Sequence, residues 1–359
     1  MKTLNPTALA EILDARFAAD IAEANISGAS AAVLQGGELL YKKFHGAAKE
    51  DAVFRLASMT KPITAAAVLI LIDRGLLRLE DRVAEYLPGY ASMKVDGGIP
   101  SGTPLTLLHL LTHTSGIGTG KLGEAQAREM SPEDNRTLAS AVDYYSRMEL
   151  AFEPFTKSLY SGTAAFDVAA RIVEIVSGKD FAAFVREEIT EPLSMTDTAF
   201  APTEAQWARM IPMHNKVDGT SVIAPMPEGC VFGATPTSHP LGGAGLASTL
   251  DDYIKFAMML RNRGGKILSE RAISMMATEY VPEAIKKGGE SWGLGVRVIR
   301  GGGNLPAGAF GWSGAYGTHF WIDPENDIVA VYMKNSRFDG GSGARTAWQF
   351  EVDVMRALE

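Results

Sequence analysis

Between positions 6 and 25 the apolar residues Leu9, Ile12, Leu13, Phe17 and Ile21 recur at helical spacing, with Asp14, Arg16, Asp20 and Glu23 between them, which predicts an amphipathic helix. Residues 30–34 and 39–44 then read as two strands. Gln35-Gly36-Gly37-Glu38 between them is a hairpin signal. Residues 60–75 are apolar and alanine-rich, which predicts a buried helix ended by Gly75. From 105 to 193 the pattern is mainly helical. Near the other end, 293–299, 310–322 and 328–334 read as strands, and 344–358 as a closing helix.

Strand-bearing ends therefore flank a helical middle, which predicts an α+β fold. Residues 1–60 and 235–359 would form one lobe, an antiparallel sheet flanked by helices. Residues 61–234 would form a mainly helical lobe, with a ligand cleft between the two. Glycine-rich stretches at 241–246, 300–304 and 340–343 read as turns. None opens a helix with phosphate-loop spacing, which argues against nucleotide binding.

Composition narrows the function classes. The 359 residues carry a net charge of −8 and no basic block, which argues against nucleic-acid partners. The single cysteine, Cys230, excludes an internal disulfide and a zinc site built from several thiolates. Without a neighbouring base it reads as a small buried hydrophobe. No apolar run approaches the ~20 residues that span a bilayer. No stretch has the form of a signal peptide, so the expectation is a cytoplasmic chain without membrane partners. No clustered metal-ligand set occurs, and no cofactor is expected.

Chemistry concentrates at Ser58-Met59-Thr60-Lys61. Ser58 falls where the apolar helix begins, where backbone N–H groups and the helix dipole favour negative charge. Lys61, three residues on, shares its face. On these residues alone, a helix-capping serine and a solvated first-turn lysine explain the pattern at least as well. Against that stands Pro62 and a helix with hardly any charge before Asp73, which places Lys61 in a buried setting. Burial lowers an ammonium's proton affinity, as a lysine base requires.

Arg55-Leu56-Ala57-Ser58-Met59-Thr60-Lys61-Pro62 resembles the first active-site motif of class C serine β-lactamases, penicillin-binding proteins and the related family VIII carboxylesterases. Further stretches match that superfamily in order. They are 106–116, which includes His109 and His113; Leu159-Tyr160-Ser161-Gly162, similar to its Tyr-x-Asn motif; 242–249; and Gly311-Trp312-Ser313-Gly314-Ala315, where Lys-Thr-Gly or a variant is expected. The resemblance implies that Ser58 is acylated, with Lys61 and Tyr160 moving protons as a coupled pair. It also implies an oxyanion hole from the backbone N–H groups of Ser58 and Ala315. Trp312, Ser313 and Gly314 would line the cleft. Taken without the resemblance, Tyr160 reads equally as a core aromatic beside a helix, and Trp312 as a strand aromatic.

Two departures point toward esters. Trp312 stands where a lysine would hold the carboxylate of a lactam or peptide, and Gly162 replaces the asparagine that positions the lysine and a substrate amide. Gly162 also leaves Lys61 one partner short, which another residue or water must supply. Strand alternation puts His319 on the face of Ser313, Ala315 and Gly317, within reach of the cleft. No Gly-x-Ser-x-Gly elbow occurs. The expectation is a serine carboxylesterase acting on small or medium esters. The alternatives are a β-lactamase, D-amino-acid amidase, peptidase or acyltransferase of the same fold, or a non-catalytic ligand-binding relative.

Overall fold

The hairpin expected near the start of the chain forms: Gly28–Gln35 pairs antiparallel with Glu38–Gly46. Gly36 and Gly37 both take positive φ, 62° and 86°. A two-residue turn matched to the strand twist requires two such residues, which is why glycine occupies both. The computed structural model describes residues 1–224, 239–286, 288–341 and 344–359. Cys230 and most of the second half of the 201–237 loop lie outside the described residues.

The hairpin belongs to a seven-stranded antiparallel sheet in the order Glu38–Gly46, Gly28–Gln35, Ile328–Met333, His319–Asp323, Phe310–Ser313, Arg297–Ile299, Glu290–Trp292. The two ends of the chain meet at its second and third strands, where Ala32 lies opposite Val331. Side chains alternate between its faces. Ala31, Val33, Trp321 and Tyr332 pack with Leu9, Leu13 and Phe17 of the Pro6–Ala22 helix and with Phe350 and Val354 of the Arg345–Arg356 helix. Ala32, Phe320, Val329 and Val331 enter a second apolar core that continues into the helices of the middle region. With both faces covered, the inner strands are apolar at nearly every position.

Two strand predictions need correction. The stretch 293–299 is one arm of a tight hairpin: Glu290–Trp292 pairs with Arg297–Ile299, and the chain reverses through 293–296. Leu294 and Val296 are core residues, so the turn is as apolar as a strand. Likewise 310–322 is two strands, reversed where the Gly314 N–H donates to the Thr318 carbonyl at 2.7 Å. Ser313 and His319 are consequently cross-strand partners. They share a face through pairing, not through alternation along one strand.

The Thr60–Asp73 helix is buried from Thr60 to Leu71. It is apolar all round because it has no solvent side, and Gly75 beyond its end takes φ +71°. The middle of the chain adds the helices Leu107–Leu111, Gly120–Arg128, Leu138–Ser146, Ala164–Ser177 and Phe181–Val185. It also holds the ribbon His214–Val217 with Thr220–Ile223, which the pattern did not indicate. Among the described residues no helix is long and apolar enough to cross a membrane.

Candidate active site

The strand Val53–Arg55 leads into the site. It pairs with Ala247–Thr249, and the Leu56 N–H donates to the Leu246 carbonyl at 2.9 Å. Ser58 then falls in a short 3-10 turn, Ala57–Met59, and the α-helix starts at Thr60. Ala57 is buried with φ +46°, a left-handed conformation that costs an alanine on the order of 1 kcal/mol. That bend turns strand into helix directly before Ser58. Neither the 3-10 turn nor the α-helix is capped by a side chain. The capping alternative for Ser58 is therefore not realised.

The solvated alternative for Lys61 is not realised either, since its exposure is 0%. Its Nζ donates to Ser58 Oγ at 3.2 Å, to the Gly162 carbonyl at 2.6 Å and to the Gly243 carbonyl at 2.9 Å. The partner that a Tyr-x-Asn asparagine would supply is thus replaced by backbone oxygen, including that of Gly162 itself. A Cβ at 162 would meet nothing within 4 Å, so the missing side chain is not imposed by crowding. The ammonium also lies over the Tyr160 ring, 4.8 Å from its centroid, where the negative π-face attracts a cation.

Tyr160 sits in an aromatic cluster. His113 and Trp292 lie with ring centroids 4.4 and 5.8 Å from it, and Trp312 donates its indole N–H to the Tyr160 hydroxyl at 3.3 Å. Burial and the Lys61 charge push His113 well below the ordinary histidine range. Its Nδ1 accepts the Ser161 N–H at 3.1 Å. The ring is therefore neutral, with its proton on Nε2. His109, pushed down to about 4 by burial, caps its own helix by accepting the Thr106 N–H.

Opposite, Ser313 Oγ lies 2.8 Å from His319 Nδ1, and His319 Nε2 lies 3.1 Å from Glu351. Glu351 also pairs with Arg297, which reaches Glu290 at 2.9 Å. Burial raises the Glu351 carboxyl, but His319 and Arg297 outweigh it and hold the group at about 2. His319 stands behind Ser313, outside the cavity at Ser58, and lines a neighbouring one. Ala315 and Ser58 line the same cavity, of about 490 Å³.

Gly314 explains the third motif's last residue. A Cβ there would stand 2.1 Å from Thr318 Oγ1 and 2.2 Å from the Leu56 carbonyl oxygen. Alanine would wedge the motif away from the segment that carries Ser58. We expect Gly314→Ala to destabilise by about 2–3 kcal/mol. That corresponds to a fall of several degrees in Tm, whereas Gly162→Ala leaves Tm unchanged. Thermal melts of the two variants check this contrast.

The remaining cavity wall joins Trp292, Val281 and Ile285 to a charged edge of Lys286, Glu290 and Arg297. Two contributors were not singled out from sequence. Trp292 lies just before the expected strand 293–299. Gly243 lies in the stretch 242–249, where glycine content and the family resemblance were the available signals.

Residues 13–352 match the family described as Beta-lactamase. The chain is 32% identical to Esterase EstB of Burkholderia gladioli over 96% of this chain and 95% of that one. It is 27% identical to the D-alanyl-D-alanine-carboxypeptidase/endopeptidase AmpH of Escherichia coli K12, over 68% of this chain and 62% of that one. Among solved structures, EstCE1, a hydrolase with promiscuous acyltransferase activity, superposes with a TM-score of 0.84 at 23% identity, covering 98% of both chains.

Proposed function

The chain belongs to the beta-lactamase family, and from that premise we propose that it is a serine esterase acting on small or medium carboxylic esters through an acyl-enzyme on Ser58. The observation that carries the reading is the buried Lys61 ammonium, 3.2 Å from Ser58 Oγ and held by two carbonyls. Once the Lys61–Tyr160 pair has lost one proton to solvent, Ser58 Oγ attacks the ester carbonyl and gives its own proton to that pair. The N–H groups of Ser58 and Ala315 stabilise the oxyanion, and the pair returns the proton to the departing alkoxide. Water, activated by the same pair, then releases the acid.

Esters are favoured over lactams by what the cleft lacks and by the similarity to a full-length esterase relative. Trp312 occupies the place of the anion-holding lysine, and 162 has no amide to meet a substrate amide. The similarity to Esterase EstB supports the same choice. Comparison of p-nitrophenyl butyrate, nitrocefin and a D-amino-acid amide tests it. We expect kcat/KM for the ester to exceed the others by at least roughly 10²-fold. A higher value for nitrocefin would overturn the ordering.

A second reading rests on one observation: Ser313, His319 and Glu351 follow one another as a nucleophile, base and acid would. Ser313 sits in a regular strand, without a turn that presents its hydroxyl, and Glu351 is already neutralised by Arg297. Ser58 is the stronger candidate.

A further inference from the structure

We propose that Asp167 is a positioning residue for Lys61: its carboxylate holds the Gly243 N–H while the carbonyl of the same residue holds the Lys61 ammonium, and it supplies the buried negative charge that this ammonium faces. The inference rests on the function proposed above.

Asp167, on the Ala164–Ser177 helix, has no exposed surface. Its Oδ1 accepts the Gly243 N–H at 3.1 Å, and its Oδ2 accepts the Tyr145 hydroxyl at 3.2 Å. The glycine segment lies flat on the start of this helix. A Cβ at 242 would stand 2.4 Å from the Phe166 carbonyl oxygen, and one at 243 would stand 2.8 Å from Thr163 Cα. From the other side Thr64 Oγ1 donates to the Gly242 carbonyl at 2.6 Å, and Lys61 donates to that of Gly243. The segment is thus clamped between two helices, with Asp167 fixing the peptide plane that aims one of the lysine's acceptors.

The charged and titratable neighbours of this carboxylate are Lys61 on the Thr60–Asp73 helix, Tyr145 on Leu138–Ser146, and Tyr90 on the turn Pro88–Ser92. Burial pushes both tyrosines well above the ordinary range, so they stay neutral. On the far side of the ammonium, His113 is neutral as well. Burial raises the Asp167 carboxyl to about 7, against the pull of the Gly243 N–H and the Lys61 charge. Its negative charge is therefore present on the alkaline side of neutrality. There it opposes any step that removes positive charge from its buried surroundings.

The test compares wild type, Asp167→Asn, Asp167→Ala and Tyr145→Phe. Two quantities are followed across pH: the rate of Ser58 labelling by a fluorophosphonate, and kcat/KM for p-nitrophenyl butyrate. Asparagine keeps an acceptor for the Gly243 N–H and removes the charge. Its acid limb should move to lower pH by about one unit with the plateau largely kept. Alanine also removes the acceptor and should lower the plateau by about 10²-fold. Tyr145→Phe strips one hydrogen bond from the carboxylate and should move the limb the same way by less. It serves as the reporter if the Asp167 variants do not fold. Superimposed profiles, with only Tm altered, would overturn the inference and leave the esterase reading intact. A wild type that takes no label on Ser58 would overturn both.

Discussion

Ser58→Ala lowers kcat/KM for p-nitrophenyl butyrate by on the order of 10⁴-fold or more and abolishes covalent labelling by a fluorophosphonate. The hydroxyl accepts from the Lys61 ammonium at 3.2 Å, and Ser58 stands on the cavity wall directly after the left-handed bend at Ala57. Residual turnover then reflects only the oxyanion donors and substrate binding. The fold should persist, because Lys61 keeps its two carbonyl partners and the lost charge-assisted hydrogen bond contributes only about 1.5–3 kcal/mol. Intact-mass analysis after labelling checks the site. The same variant separates the two serines. Wild-type turnover in Ser58→Ala, lost only on adding Ser313→Ala, would sink the assignment to Ser58.

Lys61→Met has the next largest effect. Methionine keeps most of the stem's volume beside Tyr160 and Phe166, but removes the donor and the charge. Without it the pair that takes the Ser58 proton is broken, and we expect a loss of about 10³-fold in kcat. The carbonyls of Gly162 and Gly243 are left unpaired, at roughly 1–3 kcal/mol for each buried acceptor. Part of that is offset because a charge need no longer be buried. Lys61→Arg does not rescue activity, since a guanidinium stays protonated at any working pH. Steady-state kinetics beside thermal melts distinguish this pattern from simple unfolding: activity falls far more than the folded fraction. An arginine variant with near wild-type rates would contradict the proton-transfer role.

Local sequence was legible where one neighbour decides conformation. Gly36-Gly37 marked its turn because both positions need positive φ. The apolar run after Thr60 marked a buried helix because such a run has no solvent side. It was not legible where a turn is itself part of the core. Gly295 and Gly314 reverse the chain among buried residues, so polarity did not betray them. His319 was put on the right face for the wrong reason: it pairs across from Ser313 and turns toward Glu351.

Ser58 and Lys61 were readable as a spaced pair, and Tyr160 and Trp312 as its expected company, because a motif records which residue types stand in order. What that order does not record is who completes the lysine's coordination. Gly162, Gly243 and Asp167 come from segments separated from Lys61 by roughly one hundred to nearly two hundred positions. They contribute mostly backbone carbonyls and N–H groups, which every residue type carries and no sequence displays. The sequence by itself determined the fold class and the family of chemistry, since hydrophobic period and motif order are written locally. Only the tertiary structure decided that Ser58 is not a cap. It alone placed Gly162, Gly243 and Asp167 around the Lys61 ammonium, because desolvation and long-range hydrogen bonds exist only once distant segments have packed.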